Sequence, residues 1–226
     1  MPHHTPNPPA GCVWTIVVGG GGGQRFGRPK QYELLVGAER VIDRSRAVAE
    51  RATDGVVVVV PPDDAEREGG VAGGATRSDS VRAGLDALPH DEPIDIVCVH
   101  DAARPLASEA LYERVVGAVR NGADAAVPGV QVTDTIKVVD GDGRVIDTPE
   151  RSTLTAVQTP QAFRLDALRR AHAAGGDATD DAGLVERAGG RVVVVAGEDD
   201  NRKITVPDDL ERARELAVAE RDRGST

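Results

Sequence analysis

The residues best able to do chemistry fall in short stretches beyond the ends of apolar runs: Gly19 to Lys30, Gly73 to Ser80, His100 to Pro105 and Asn201 to Thr205. Gly19 to Gly23 is an unbroken glycine run, with Arg25, Arg28 and Lys30 close behind. Glycines let a backbone approach a ligand and turn N–H groups toward it, and such concavities favour anions. A glycine loop followed by three cations reads as a phosphate site, whereas a glycine run alone is also what a plain flexible loop looks like. The absent motifs narrow the kind of site. No G-x-G-x-x-G occurs, so the dinucleotide fingerprint is missing, and Gly27 is followed by Arg28-Pro29 rather than the Lys-Ser or Lys-Thr of a Walker loop. What stands is G-x-G-x-R, a short gap, then P-K-Q. Pro29 restrains the backbone beside Lys30, which can then act as a charge held against a polyphosphate; otherwise Lys30 is a surface lysine. Asp101 ends an apolar run, where a carboxylate can hold Mg²⁺ against phosphate oxygens or, equally, cap a turn. No Ser-His-Asp or Cys-His arrangement is visible.

These stretches need a scaffold that brings strand ends together. Val13 to Val18, Val56 to Val60, Ile94 to Val99, Ala125 to Val127 (stopped by Pro128) and Arg191 to Val195 read as strands. The valine runs are what strands buried on both faces of a parallel sheet look like. Helices are expected at Arg40 to Arg51, Ser78 to Leu88, Glu109 to Arg120 (N-capped by Ser108), Phe163 to Ala174 and Asp180 to Ala188, with a long exposed one at Asp208 to Arg223. Gln24 to Gly37 reads as loop. Asp134 to Val139 and Arg144 to Asp147 flank Asp140-Gly141-Asp142-Gly143, a hairpin signal. Alternating strands and helices predict an α/β fold with a mostly parallel sheet, whose ligands sit beyond the carboxyl ends of the strands. Residues 1–12 read as a disordered Pro-rich tail and 13–226 as one domain.

Composition limits the partners. The 226 residues carry 27 Lys+Arg against 37 Asp+Glu, a net charge of −10, which argues against nonspecific nucleic-acid binding and against an anionic membrane surface. No apolar run approaches the ~20 residues of a membrane span. Cys12 and Cys98 match no metal or redox spacing, so a reducing cytoplasm is expected. Aromatics are only 2%, so the core must be built from Val, Leu, Ile and Ala.

The run GGGGGQRFGRPKQY resembles the first signature of the 2-C-methyl-D-erythritol 4-phosphate cytidylyltransferases, within the sugar-phosphate nucleotidyltransferases. The resemblance continues in order through GGATRSDSVRAGL from Gly73, VHDAARP from Val99, TDTIK from Thr133, AVQTPQAF from Ala156, TDDAGLVE from Thr179 and NRKIT from Asn201. Departures are Gly19-Gly20 in place of the usual Ala-Ala, a shorter gap from Arg25 to Lys30, Ala75 where an acid is common and Arg202 where an aliphatic residue is common.

The resemblance implies a Rossmann-like sheet and transfer of a cytidylyl group from CTP to a polyol phosphate, with release of pyrophosphate. The nucleophile is an already anionic phosphate oxygen, so no general base is needed and catalysis is charge neutralisation with in-line positioning. It further implies that Arg25, Lys30 and Lys203 act on the phosphates, that Asp101 holds Mg²⁺, and that Gly19, Gly20, Gly21, Gly23, Gly74, Arg77 and Ser80 take the nucleotide. Asp101, Arg104, Thr135, Arg151, Thr159, Thr179 and Lys203 would gather the acceptor. Arg77 has the plainer reading of an exposed helix-start arginine, Ser80 that of a first-turn residue, His100 that of a core histidine, and Asp180-Asp181 that of a helix cap. The hairpin arm, about residues 133–152, would embrace a second copy in a homodimer, with Thr135 and Arg151 completing the partner's acceptor site. Rival readings are a ribitol-5-phosphate cytidylyltransferase and a non-catalytic nucleotide-binding relative; retention of Arg25, Lys30, Asp101 and Lys203 together argues against the latter.

Overall fold

The structure is a computed structural model describing residues 11–21, 25–175 and 178–224. The first half of the chain runs β1 (Cys12–Val18), β2 (Leu34–Val36), β3 (Glu39–Arg40), α1 (Val41–Ala52), β4 (Gly55–Val60), α2 (Ala65–Glu68), β5 (Val71–Ala72), α3 (Arg77–Asp86), β6 (Ile94–Asp101) and α4 (Glu109–Arg120). The second half runs β7 (Ala125–Gln131), β8 (Val138–Val139), β9 (Val145–Asp147), β10 (Thr155–Val157), β11 (Gln161–Arg164), α5 (Leu165–Ala173), α6 (Asp181–Arg187), β12 (Val192–Ala196) and α7 (Pro207–Gly224). The expected tail therefore gives way to strand at Cys12, and residues 1–10 lie outside the described residues.

β1 lies inside an eight-stranded sheet, parallel to β4 and β6, with β5 beyond β4. On the other side β11 runs antiparallel between β6 and β7, β10 continues beside β7, and β12 lies parallel to β7. The register sets Val18 against both Val59 and Asp101, so the glycine loop and the Asp101 carboxylate leave adjacent strands at the same level.

The valine run of β4 is buried from Val57 to Val60, as a strand covered on both faces should be. The run of β12 departs from this: Val194 is 57% exposed, because β12 is an edge strand. β7 also runs past Pro128. Its partners on one side are β11 at residues 125–126 and β10 at 129–131, so Pro128 falls in the gap between them and its missing N–H interrupts no ladder there. Phe163, expected in a helix, is instead a fully buried residue of β11.

Apolar side chains of α1 and α4 pack on one face of the sheet, and those of α3, α5 and α6 on the other. Gly84 allows α3 to come close, since a Cβ there would stand 2.5 Å from Ile16 Cγ2. The C-terminal helix is not simply exposed: Leu210, Ala213 and Ala217 bury against Phe26, Leu35, Val41, Leu106 and Ile204. Among the described residues β8 and β9 pair only with each other, and Ile136, Val138, Val139, Val145 and Ile146 on this arm are all exposed. No helix among the described residues is long and apolar enough to cross a membrane.

Candidate active site

The stretch after β1 is more ordered than a loop. Pro29, at φ −64°, opens a single 3₁₀ turn over Lys30–Tyr32, with Tyr32 and Glu33 N–H groups donating back to the Pro29 and Lys30 carbonyls. The turn presents Lys30 to a cleft of about 320 Å³. Gly19, Gly20 and Gly21 form one wall; Gly74, Arg77 and Ser80 form another; Asp101, Ala102 and Lys203 close it. α3 begins at this cleft through a capping box in which Thr76 Oγ1 accepts from Asp79 N and Asp79 Oδ2 accepts from Thr76 N, each at 3.0 Å. Gly74 is required by the close approach, since its Cβ would lie 2.2 Å from Asp79 Cβ. Ser80 Oγ donates to Thr76 O and sits 3.1 Å from where a Cβ on Gly20 would fall. It is thereby fixed beneath the glycine wall as a neutral group able to accept from a base.

Lys203 arrives from the far side on the segment before α7. Asn201, fully buried, donates through Nδ2 to Thr159 O at 2.9 Å, and Ile204 N donates to Ala103 O at 2.8 Å. Between these anchors Lys203 Nζ meets Asp101 Oδ2 at 2.6 Å. Arg77 Nε donates to Asp101 Oδ1 at 3.3 Å, and Asp101 N donates to Thr159 Oγ1 at 3.0 Å. A second cavity of about 250 Å³ is lined by Arg104, Gln158, Thr159, Gln161, Thr179 and Asp180, together with Arg77, Asp101 and Lys203. Those last three residues line both cavities and mark where they meet.

The electrostatics follow. Burial works to raise the Asp101 pKa, but Arg77 and Lys203 outweigh it and hold the carboxyl well below the usual range. Lys30 is pushed below the ordinary lysine value by burial and by the like charges of Lys203 and Arg25. Such a crowd of cations is relieved by a polyphosphate. Burial pushes His100 down to about 4, so at neutral pH it is an uncharged core residue, its Nε2 against Arg104 O and its ring tilted on Tyr112. Burial also pushes the Cys98 thiol up to about 12, far from a reactive thiolate.

Of the residues expected at the site, Gly19, Gly20, Gly21, Lys30, Gly74, Arg77, Ser80, Asp101, Arg104, Thr159, Thr179 and Lys203 come together around the two cavities. Gly23 lies outside the described residues. Arg25 is exposed and lines neither cavity, though its charge reaches Lys30. Arg28 is engaged by Glu33 rather than by the cleft. Thr135 and Arg151 line neither cavity of their own chain; Arg151 Nη1 donates to Thr133 O at the base of the arm. The acid pair divides: Asp180 caps α6 by accepting from Gly183 N, whereas Asp181 does not cap but lies fully buried in an ion pair with Arg77. Arg77 is accordingly no exposed helix-start arginine. Sequence reasoning also passed over Gln31 and Gln161, buried glutamines at the cavities, for which a lone Gln carries no signal.

An α/β sheet that sets a glycine-walled, cationic cleft against a second cationic cavity, joined over one carboxylate, is the arrangement of a nucleotidyltransferase. The family profile described as IspD, 2-C-methyl-D-erythritol 4-phosphate cytidylyltransferase, matches residues 13–218. The chain is 49% identical to the 2-C-methyl-D-erythritol 4-phosphate cytidylyltransferase of Rhodococcus jostii, over 91% of this chain and 95% of that one. It is 43% identical to that of Rubrobacter xylanophilus, over 93% and 96%. The crystal structure of the Thermus thermophilus protein of that name superposes with a TM-score of 0.77 at 35% identity, covering 92% of this chain and all of that one. The chain belongs to the 2-C-methyl-D-erythritol 4-phosphate cytidylyltransferase family.

Proposed function

We propose that the chain transfers the cytidylyl group of CTP to 2-C-methyl-D-erythritol 4-phosphate, forming CDP-methylerythritol and pyrophosphate. The observation that carries this reading is the pair of cavities meeting at Arg77, Asp101 and Lys203. One cavity has a glycine wall and Ser80 for a base and Lys30 for phosphates. The other has Arg104 and the Thr159 and Thr179 hydroxyls suited to a polyol phosphate. In the reaction an acceptor phosphate oxygen attacks the α-phosphorus of CTP, a new P–O bond forms, and the bond to the β-phosphate breaks. Lys30 holds the triphosphate and takes up charge as the pyrophosphate leaves, with Arg25 adding its charge from beside the cavity. Lys203 lies where the two phosphates meet and offsets their repulsion, and no side chain is needed as a base.

Asp101 fits a role toward Mg²⁺. It is held anionic and is the one carboxylate lining both cavities, and no cluster of three or more acidic, histidine or cysteine ligands exists among the described residues. A single carboxylate suits a metal that takes its other ligands from phosphates and water. When bound, Mg²⁺ supplies charge neutralisation to the phosphates.

The exposed apolar side chains of the arm, and the place of Thr135 and Arg151 outside their own chain's cavities, support a homodimer in which each arm completes the partner's acceptor cavity. The unpaired Cys12 and Cys98 are in keeping with work in a reducing cytoplasm.

The test is pyrophosphate release with CTP, UTP or ATP against methylerythritol phosphate, ribitol 5-phosphate or no acceptor. Release with CTP and methylerythritol phosphate is expected. Preference for ribitol phosphate would transfer the assignment to that acceptor, and release with no combination would leave a nucleotide binder.

A further inference from the structure

Arg77 is gripped from two sides. Its Nε donates to Asp101 Oδ1 at 3.3 Å, and its Nη1 donates to Asp181 Oδ2 at 2.5 Å. Asp181 stands at the start of α6 with no exposed surface, and its other oxygen, Oδ1, lies 3.0 Å from Nε2 of buried His172 on α5. Both carboxylate oxygens are thus spoken for by groups from two different helices. Burial works to raise the Asp181 pKa, but His172 and Arg77 hold it below the ordinary value. The helix does not need this carboxylate, since Asp180 already caps α6. A charge kept fully buried without a capping duty calls for another reason.

The reason lies in what an arginine does beside a lone carboxylate: it closes on it as a two-pronged fork. Here Asp181 holds Nη1 at 2.5 Å, and Arg77 meets Asp101 through Nε at 3.3 Å, the longer of its two distances, without closing the Nε–Nη2 fork on it. We propose that Asp181, braced by His172, is a positioning residue that holds Arg77 at the junction of the nucleotide and acceptor cavities and keeps it from claiming Asp101 outright. The guanidinium then remains a fixed cation where the α-phosphate and the acceptor phosphate meet. This rests on the cytidylyl-transfer reading and adds to it residues that touch no substrate.

The experiment is a double-mutant cycle with Arg77→Ala, Asp181→Asn and the pair, read in kcat, in KM for CTP and in Tm. Asp181→Asn should lower kcat roughly tenfold with KM for CTP within about twofold, since a group that acts in the transition state shows in kcat. The pair should be no slower than Arg77→Ala alone, because residues acting through one another are not additive. The Tm cost of Asp181→Asn should vanish or change sign once Arg77 is gone, as the buried carboxylate has then lost its cation. If Asp181→Asn does not fold, His172→Gln serves: it keeps both charges, loosens the brace, and should lower kcat several-fold with KM little changed. Multiplicative losses in the cycle, or a Tm cost with wild-type kcat in Asp181→Asn and His172→Gln, would overturn the proposal. An inactive wild type would defeat the cytidylyl-transfer reading separately, and a Tm cost unaffected by Arg77→Ala would still refute the anchoring.

Discussion

Lys30 illustrates how a side chain can be poorly placed for stability and well placed for chemistry. Burial, Lys203 and Arg25 all lower its pKa, so its charge is held at a cost that only a bound polyphosphate repays. Lys30→Ala should lower kcat by roughly a hundredfold or more, on the scale of losing one oriented donor, with a smaller change in KM for CTP. The same change should raise the Tm of the protein without nucleotide by about 1–3 °C, the trade expected where an active site is strained. A normal kcat would return Lys30 to the surface. Asp101 behaves in the opposite sense. Its pKa is depressed in the fold, so its pairing contributes stability that is complete above the unfolded value near ~3.9 and is lost as pH falls below it. Asp101→Asn should therefore be less stable than wild type at pH 7, and in thermal melts the gap should begin to narrow near ~pH 4 and close only as pH falls on toward the depressed folded-state value; a difference that stays constant as the pH is lowered below about 4 would refute the pairing. Lys30, Asp101 and Lys203 were legible in the sequence because Asp101 ends an apolar run and each lysine sits in a short motif, P-K-Q for Lys30 and N-R-K-I-T for Lys203. Asp181 and His172 were not, because their partner Arg77 lies about a hundred residues upstream and only the packing of α5, α6 and α3 brings the three together.

At the level of elements, the long apolar strands and the capped helix α4 could be read directly, since Ser108 does accept from Leu111 N as an N-cap should. Short strands were missed for a physical reason. β5, β10 and β11 have 2, 3 and 4 residues, too few for a period to show, and they are strands only because β4, β6 and β7 offer them ladders. Gly84 carries a different message, because its lack of a side chain sets how closely α3 lies on the sheet. α3 bears Arg77 and Ser80, so this contact also sets the depth of the cleft. Gly84→Val would force atoms into Ile16 and Val59, and overpacking of this kind costs about 1–3 kcal/mol. The expected result is a Tm several degrees lower together with a raised KM for CTP. A melt like that of wild type would mean that the helix is free to shift outward.

The arm belongs to the scale of the whole molecule. A lone two-stranded hairpin is marginal in water, and β8 and β9, paired only with each other among the described residues, display apolar side chains to solvent. A second copy of the chain is the simplest surface to cover them. The hairpin was legible from its Asp-Gly turn, where Asp140 Oδ1 accepts from the N–H groups of Asp142 and Arg144. Its expected part in a homodimer rests on the marginal stability of a lone hairpin and on the family resemblance, because a surface for another chain leaves no periodic mark within its own. In the proposed dimer one chain supplies Lys30, Asp101 and Lys203 to a site while the arm of the other supplies Arg151. Subunit mixing tests this most directly. Arg151→Ala and Lys30→Ala dimers should each be nearly inactive alone. After random exchange about half of the dimers are mixed, and each of these has one intact site and one doubly damaged site, as a two-fold interface requires. Pyrophosphate release should then recover to about a quarter of the wild-type rate; no recovery despite demonstrated exchange would contradict a site built from two chains.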